Sequence, residues 1–482
     1  MKTLLPGVMA LPDGCNVYAL VEGRHALLFD FGRGKILPHL RRHGVRTIDA
    51  ILLTHPHADQ IAVRPPPGIP VYASAEAESH LTLRGVRAFS RRPSASPVPE
   101  NFLPLPSGLP NVHCSLGPGR EFFWRDRLIR IIPTPGHTKA AVTFLVEWNG
   151  RHLAFCGDAV LAPGLLWQPH HLEWDHWSTA GGRAALWGLD RLRGLAIDAL
   201  LPSHGEPELR APQRVLGTAR KKLLRWIALR ENIAAGSRVQ WLAGKRHSES
   251  LSSILPHLHR FGANGIILGS ENGEALVWDL MPEDVKRLPA VLKKLGLRRV
   301  DAASATHYHD DHAGGLETLR ARRGAKILLP TGLAAILAEP ERFELPFRPD
   351  RLMRPPDKIL RRNRVWRWNE YAIQTWFFPG QTEQHYAFAV EVDGRRVLLS
   401  GDNFFPPDRW GGSGGCSGYN QSRPWHFASS ARQVLAWKPD ILCGGHQATF
   451  AFSARYFHKV IAWAKAYEDA CVLLGYPPTA TP

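Results

Sequence analysis

Five segments recur in the same order in both halves of this 482-residue chain, and the recurrence limits its fold more than any other feature. Asn16-Val17-Tyr18 through Leu27-Leu28-Phe29-Asp30 matches Asn264-Gly265-Ile266 through Leu276-Val277-Trp278-Asp279. The cluster His55-Pro56-His57-Ala58-Asp59-Gln60 matches His307-Tyr308-His309-Asp310-Asp311-His312, and Pro135-Gly136-His137-Thr138 matches Pro379-Gly380-Gln381-Thr382. Leu153 through Cys156-Gly157-Asp158 matches Val397 through Ser400-Gly401-Asp402, and Ser203-His204-Gly205 matches Gly445-His446-Gln447. Asn16 and Asn264 are 248 residues apart, Asp158 and Asp402 are 244 apart, and His204 and His446 are 242 apart. So steady an offset predicts a duplicated domain. A chain of this length also exceeds the size at which one core keeps growing. The expected domains are residues 1–245 and 246–482.

The two histidine-aspartate clusters carry the chemistry. Each follows a short apolar segment that reads as a strand, Ile51–Thr54 and Ala303–Thr306. Residues two apart in extended chain point the same way, so His55 and His57 can grip one ion. Asp59, two further on, is placed to serve a neighbouring ion. Imidazole nitrogen with carboxylate oxygen suits zinc, or iron and manganese under other conditions.

Within each half, apolar runs of four to six residues end in Gly or Asp and alternate with helical stretches, as in sheets covered by helices. Residues 210–235 place Val215, Leu216, Ala219, Leu223, Trp226 and Ile227 at helical spacing before Gly236. Residues 457–474 repeat the pattern with Val460, Ile461, Ala464, Tyr467 and Cys471. Both read as packing helices that close their domains. Residues 91–110 hold six prolines and read as a loop, and residues 237–256 read as the linker or its approach. Asn16–Val21 reads as the first strand of the fold.

No window approaches a membrane span of eighteen apolar residues, and the start, soon broken by Pro6, Gly7 and Pro12, does not read as a signal peptide. The six cysteines, at positions 15, 114, 156, 416, 443 and 471, show no CxxC spacing, which points to free thiols and the cytoplasm. The net charge of +17 would draw nucleic acid or small anionic substrates. Pairs such as Arg41-Arg42, Arg91-Arg92, Arg298-Arg299 and Arg361-Arg362 are dispersed, which favours ordinary solvated faces and leaves nucleic acid unfavoured.

With these motifs in order, each half resembles the metallo-β-lactamase fold superfamily. The resemblance implies an α/β (α+β) fold, a tandem duplicated αββα sandwich with metals at one edge of two sheets. It implies that His55, His57 and His137 hold a first metal, Asp59 and His204 a second, and that Asp158 bridges them. In the second half it implies His307 and His309 at the first metal, Asp311, His312 and His446 at the second, and Asp402 between. Zinc, one or two ions per active domain, is the implied cofactor, with iron or manganese as alternatives. Asp30 and Asp279 match the family's ligand-orienting aspartate, or else merely end their strands.

Each copy departs from the family pattern. Gln60 stands where a second-metal histidine belongs, and Ile61-Ala62-Val63-Arg64 runs into Pro65-Pro66-Pro67, so the usual helix must be shortened. Gln381 stands where the first-metal histidine belongs; His385 is either its substitute or a packing residue. The glycine-rich stretch Gly411–Gly415 is either a site-side loop, similar to that of hydroxyacylglutathione hydrolase, or a surface loop, and it inclines the expectation toward the second copy as the more intact pocket. Trp167, His170, His171, Trp174, His176 and Trp177 either line a substrate cleft or, for most of them, pack a helix, and Cys156 and Cys443 read as buried strand residues in preference to thiolate ligands.

The expected function is metal-dependent hydrolysis, by a metal-bound hydroxide, of a small anionic ester, thioester, lactone or phosphoester, with Asp59 or Asp311 orienting the nucleophile. A mononuclear iron oxygenase, a nucleic-acid phosphodiesterase and a non-catalytic tandem scaffold stand as alternatives. The two halves are expected to pair as an intramolecular pseudo-dimer.

Overall fold

Strand Glu274–Trp278 shows how the layers arise. Successive side chains in a strand face opposite sides, so Leu276 and Trp278 join one buried cluster while Ala275 and Val277 join another. The first cluster takes residues from two sheets, including Ile373, Phe388, Val397 and Leu399. The second takes Val285, Leu288 and Leu292 of helix Pro282–Lys294 and Leu316 and Leu319 of helix Leu316–Arg323. Strands apolar on both faces therefore sit between a partner sheet and covering helices, which is the expected sandwich.

The computed structural model describes residues 1–89, 108–109, 111–117, 120–173, 181–231, 239–243, 251–343, 345, 347, 349–405 and 420–476. The chain divides into two units. The first lobe comprises Met1–Arg92, Val98–Ile227 and the C-terminal Ala470–Pro482; the second is essentially Ala228–Asp469. The expected boundary at 245/246 falls outside the described residues.

In the first lobe, one sheet runs in the order Lys2–Leu5, Val8–Asp13, Cys15–Glu22, His25–Phe29, Thr47–Leu52, Val71–Ser74, Val112–Leu116. Pairing is parallel from His25–Phe29 onward. The facing sheet runs Ala199–Pro202, Arg151–Gly157, Val142–Trp148, Arg127–Pro133, Glu121–Trp124, with the first pair parallel. Phe29 from one sheet stacks on Phe155 from the other, centroids 3.6 Å apart. Helix Ile36–Arg42 covers the outer face with Ile36 and Leu40.

The second lobe repeats this plan. Its first sheet runs from Ser252–Leu255 through Leu258–Phe261, Gly265–Gly269, Glu274–Trp278, Arg299–Ser304 and Lys326–Pro330 to Lys358–Leu360. Its second runs Trp241–Ala243, Thr449–Ala451, Ile441–Gly444, Arg395–Gly401, Tyr386–Val392, Tyr371–Phe377, Arg364–Trp368.

Several local expectations are corrected. Asn16–Val21 lies in the third strand, because Met9 and its neighbours fold back on Lys2–Leu5 as a hairpin. The expected linker at 237–256 contains strands Trp241–Ala243 and Ser252–Leu255. Each pairs at a sheet edge, where unsatisfied backbone groups accept even a polar segment. The closing helices span Pro212–Arg230 and Ala454–Leu474. After the first cluster, residues 61–68 form no helix, whereas the second cluster starts helix Asp310–Ala313. Gly236, Gly411–Gly415 and nearly all of the proline-rich 91–110 stretch lie outside the described residues. No helix among the described residues is long and apolar enough to cross a membrane.

Candidate metal centres

Both sheets of the first lobe end at one edge. The parallel strand Thr47–Leu52 delivers the loop bearing His55, His57 and Asp59; Arg151–Gly157 delivers Asp158, and Ala199–Pro202 delivers His204. The turn between Arg127–Pro133 and Val142–Trp148 adds His137. One nitrogen each from His55, His57 and His137 and one oxygen of Asp158 lie within 4.8 Å of one another, all buried. Asp158 Oδ2 stands 3.4 Å from both His55 Nε2 and His137 Nε2, and His137 Nε2 is 3.0 Å from His57 Nδ1.

A relay behind this group sets the tautomer of His55. Asp30, held at φ +59°, accepts from the Thr54 backbone N–H at 2.8 Å, from Thr54 Oγ1 at 2.9 Å and from Ser203 Oγ at 2.9 Å. With the Thr54 hydroxyl hydrogen given to Asp30, its oxygen accepts from His55 Nδ1 at 3.0 Å. The proton thus sits on Nδ1, and Nε2 turns its lone pair to the centre. His55 Nε2 and Asp158 Oδ2 are buried with no hydrogen-bond partner. Such orphaned acceptors are costly unless a cation satisfies them, so the donor set fits a bound metal.

Charge follows from burial. Burial, with His137 and His55 adding, holds His57 well below the usual imidazole range. Burial pulls His55 down as well, but its contact with Asp158 outweighs that and raises it. Asp158 stays well below the usual carboxylate range: burial opposes ionisation, and His204 and His55 overcome it. Burial lifts Asp30 to about 6 despite the favourable charge of His55.

Asp59 and His204 meet differently. His204 presents Nδ1 to Asp158 Oδ1 at 2.8 Å and Nε2 to Asp59 Oδ2 at 3.0 Å, while Trp167 stacks on its face at 3.9 Å. Burial disfavours its charge, but the two carboxylates lift it to about 10. Gln60 donates its amide to Asp59 Oδ2 at 3.1 Å.

The second lobe repeats the relay: Asp279, at φ +55°, accepts from Thr306 N and Thr306 Oγ1, both at 2.8 Å, and Thr306 Oγ1 is 3.1 Å from His307 Nδ1. His307 Nε2 is buried with no hydrogen-bond partner. Convergence here is split. His307, His312 and Asp402 form one group, and Asp311, His312 and His446 another. His446 Nε2 lies 3.1 Å from Asp402 Oδ2 and 3.5 Å from Asp311 Oδ2; His312 Nε2 lies 3.3 Å from Asp402 Oδ1. His309 is not in either group: its Nε2 pairs with Asn420 Oδ1 at 3.0 Å. His385 is not in them either, because its Nε2 accepts the Asp402 backbone N–H at 3.3 Å while its ring stacks on His307. Burial pushes His385 down to about 3. Gln381 donates its amide to Asp402 Oδ2 at 3.1 Å.

The strand residues Cys156 and Cys443 are buried, burial pushes their thiols up to about 12 and about 11, and neither sulfur joins a donor group among the described residues. Sequence reasoning missed Thr54, Thr306 and Asn420, and it read Trp167 mostly as packing where the structure stacks it on His204. The two threonines left a signal, since each immediately precedes the first histidine of its cluster. Asn420, about 110 residues from its partner, left none.

The sequence profile of the metallo-beta-lactamase superfamily matches residues 10–204 and again residues 262–446. The chain belongs to that superfamily. A hydroxyacylglutathione hydrolase of Albidiferax ferrireducens is 31% identical over 198 residues, which cover 40% of this chain and 66% of that relative. Another, of Methylobacillus flagellatus, is 29% identical over 235 residues, covering 46% and 80%. Among solved structures, a Cronobacter sakazakii metallo-beta-lactamase with a HARLDQ motif aligns at 17% identity and TM-score 0.38, over 48% of this chain and 96% of its own.

Proposed function

We propose that the chain is a metal-dependent thioester hydrolase acting on small anionic S-acyl thiols of the hydroxyacylglutathione kind, with its reaction centre in the first lobe. The coarse class, a hydrolase of its superfamily, is supported by the family match and by the activity named for the relatives. The observation that carries the lobe assignment is the four-donor group of His55, His57, His137 and Asp158, with buried acceptors that no protein group satisfies. The sequence inclined toward the second lobe. There, however, His309 is engaged by Asn420.

His55, His57, His137 and Asp158 would hold the cation, for which zinc is proposed on the strength of the nitrogen-rich donor set. When bound, it supplies Lewis acidity toward the carbonyl and brings the pKa of a water to about 7. The chain's own groups do the rest. Asp59, whose side chain is 35% exposed where that of Asp158 is 1%, is open to solvent beside His204 and would orient the attacking water. Leu166, Trp167 and Leu172 line the cleft beside His137 and Asp158 and seat the apolar part of the acyl group. The water oxygen bonds to the acyl carbon, the carbon–sulfur bond breaks, and the water's proton ends on sulfur, giving acid and thiol. The net charge of +17 draws anionic substrate, so kcat/KM should fall as salt rises. The described cysteines are free thiols, which suits a cytoplasmic setting.

The test is hydrolysis of a 2-hydroxyacyl-glutathione thioester by zinc-loaded protein, beside matched oxygen esters and phosphodiesters. Thioester cleavage that disappears with chelator and with His57→Ala, but survives His446→Ala, is expected. Loss through His446→Ala alone would move the centre to the second lobe. A single bound iron with dioxygen uptake would replace hydrolysis by oxygenase chemistry.

A further inference from the structure

We infer that each lobe is built to hold one ion at opposite positions of the family's paired site: the first lobe through His55, His57, His137 and Asp158, the second through Asp311, His312, His446 and Asp402. The full chain therefore carries two ions, one per lobe. This rests on the metal-enzyme reading above only in requiring that cations bind.

The two substitutions that break the family pattern are both histidine-to-glutamine, and in each lobe the glutamine does the same thing. Gln60 Nε2 donates to Asp59 Oδ2 at 3.1 Å, and Gln381 Nε2 donates to Asp402 Oδ2 at 3.1 Å. An amide nitrogen that donates to a carboxylate offers no electron pair to a cation, so neither glutamine supplies a ligand as placed. A histidine there would present a lone pair to the cation.

The remaining donors divide accordingly. In the first lobe, Asp59 and Asp158 are tied together through the two ring nitrogens of His204, at 3.0 and 2.8 Å. Both His204 nitrogens are turned to carboxylates, Gln60 replaces the remaining histidine, and only the four-donor group at the first position converges among the described residues of this lobe. In the second lobe the first position has lost its turn histidine to Gln381, His309 is drawn to Asn420, and the remaining His307–His312–Asp402 group shares His312 with the second position, so one ion uses it. Its second position is intact. Asp311, His312 and His446 converge, Asp402 lies 3.1 and 3.3 Å from the two histidines, and Asn264 fixes Asp311 Oδ2 at 2.8 Å. His312 Nδ1 meets Asp279 at 3.0 Å, the place that Ser203 takes on Asp30 in the first lobe.

The test counts metal, so it does not depend on finding a substrate. Full-length protein is equilibrated with zinc, dialysed and analysed for metal per chain by mass spectrometry, with the cobalt-substituted protein's visible absorption as a second readout. Two ions per chain are expected. His137→Ala and His446→Ala should each remove one ion, and the double variant both. Gln60→His and Gln381→His should each add one, and the cobalt spectrum should gain a new component. A wild-type count other than two overturns the inference, as does loss of both ions from one single variant. Glutamine-to-histidine variants that fold by circular dichroism yet gain no ion overturn it too. Thioester hydrolysis failing while the count holds would sink the functional reading alone.

Discussion

The hydroxyl of Thr54 stands 3.0 Å from Nδ1 of His55 and gives its own hydrogen to Asp30, so a single oxygen settles which imidazole nitrogen faces the centre. Thr306 and His307 repeat this at 3.1 Å. Thr54→Val keeps the volume and removes the relay. Zinc affinity of the first lobe should fall about 10–100-fold, with Thr54→Ser recovering most of it. Competition against a chromogenic chelator reads this directly. An unchanged affinity in the valine variant would show that the relay does not orient the ligand.

Gly157 and Gly401 adopt φ of +55° and +50°, a region where a Cβ costs energy. A Cβ on Gly157 would lie 2.9 Å from Thr54 Cβ and 3.0 Å from Thr54 Oγ1. Gly157→Ala should cost about 1–3 kcal/mol of stability through backbone strain and also displace the relay. Urea denaturation gives the first effect and chelator competition the second. A variant as stable as its parent would contradict this account of the glycine before Asp158.

Metal removal should destabilise the protein in proportion to what is bound. At free zinc about 100-fold above the dissociation constant, each loaded site adds roughly 2.7 kcal/mol. Calorimetry with and without chelator should show a lower, re-zincable transition in the stripped protein. Coincident traces would mean that the buried donors are satisfied without a cation.

His426 gives a pH dependence remote from the ligands. Burial, with Arg423 adding, lowers it to about 4 from an ordinary 6.5. Its Nδ1 accepts from the Arg423 backbone N–H at 3.2 Å and faces Ser422 Oγ at 2.8 Å. The unfolded chain binds the proton first, so this stability is fully present above pH 6.5 and is lost as pH falls toward 4. The stability difference between wild type and His426→Gln should shrink by roughly 3 kcal/mol over that window. A difference that stays constant from pH 7 to 4 would refute it.

The duplication and the layered sheets were legible in sequence because motif order and strand periodicity are local signals, whereas the ligand sets came with the resemblance to the superfamily. Gln60 and Gln381 were visible as departures, but their role was not: whether an amide presents nitrogen or oxygen depends on carboxylates fixed by the fold. The diversion of His309 needs Asn420, brought in from 111 residues away. The edge strands Trp241–Ala243 and Ser252–Leu255 escaped notice because they carry too little apolar alternation, and their pairing depends on neighbours already in place.

The last turn of helix Ala454–Leu474 and the residues after it belong to the first lobe, where Leu474 accepts the Leu166 backbone N–H at 2.8 Å and Tyr476 donates to Glu173 at 2.7 Å. The lobe built mostly from residues 1–227 is thus completed by residues that follow the whole of the second lobe in sequence. A ribosome makes most of that lobe well before residues 470–476 emerge to complete it. A piece cut after the first lobe's main segment would leave Leu166 and Glu173 without Leu474 and Tyr476, so an engineer wanting that centre alone must graft residues 470–476 back on.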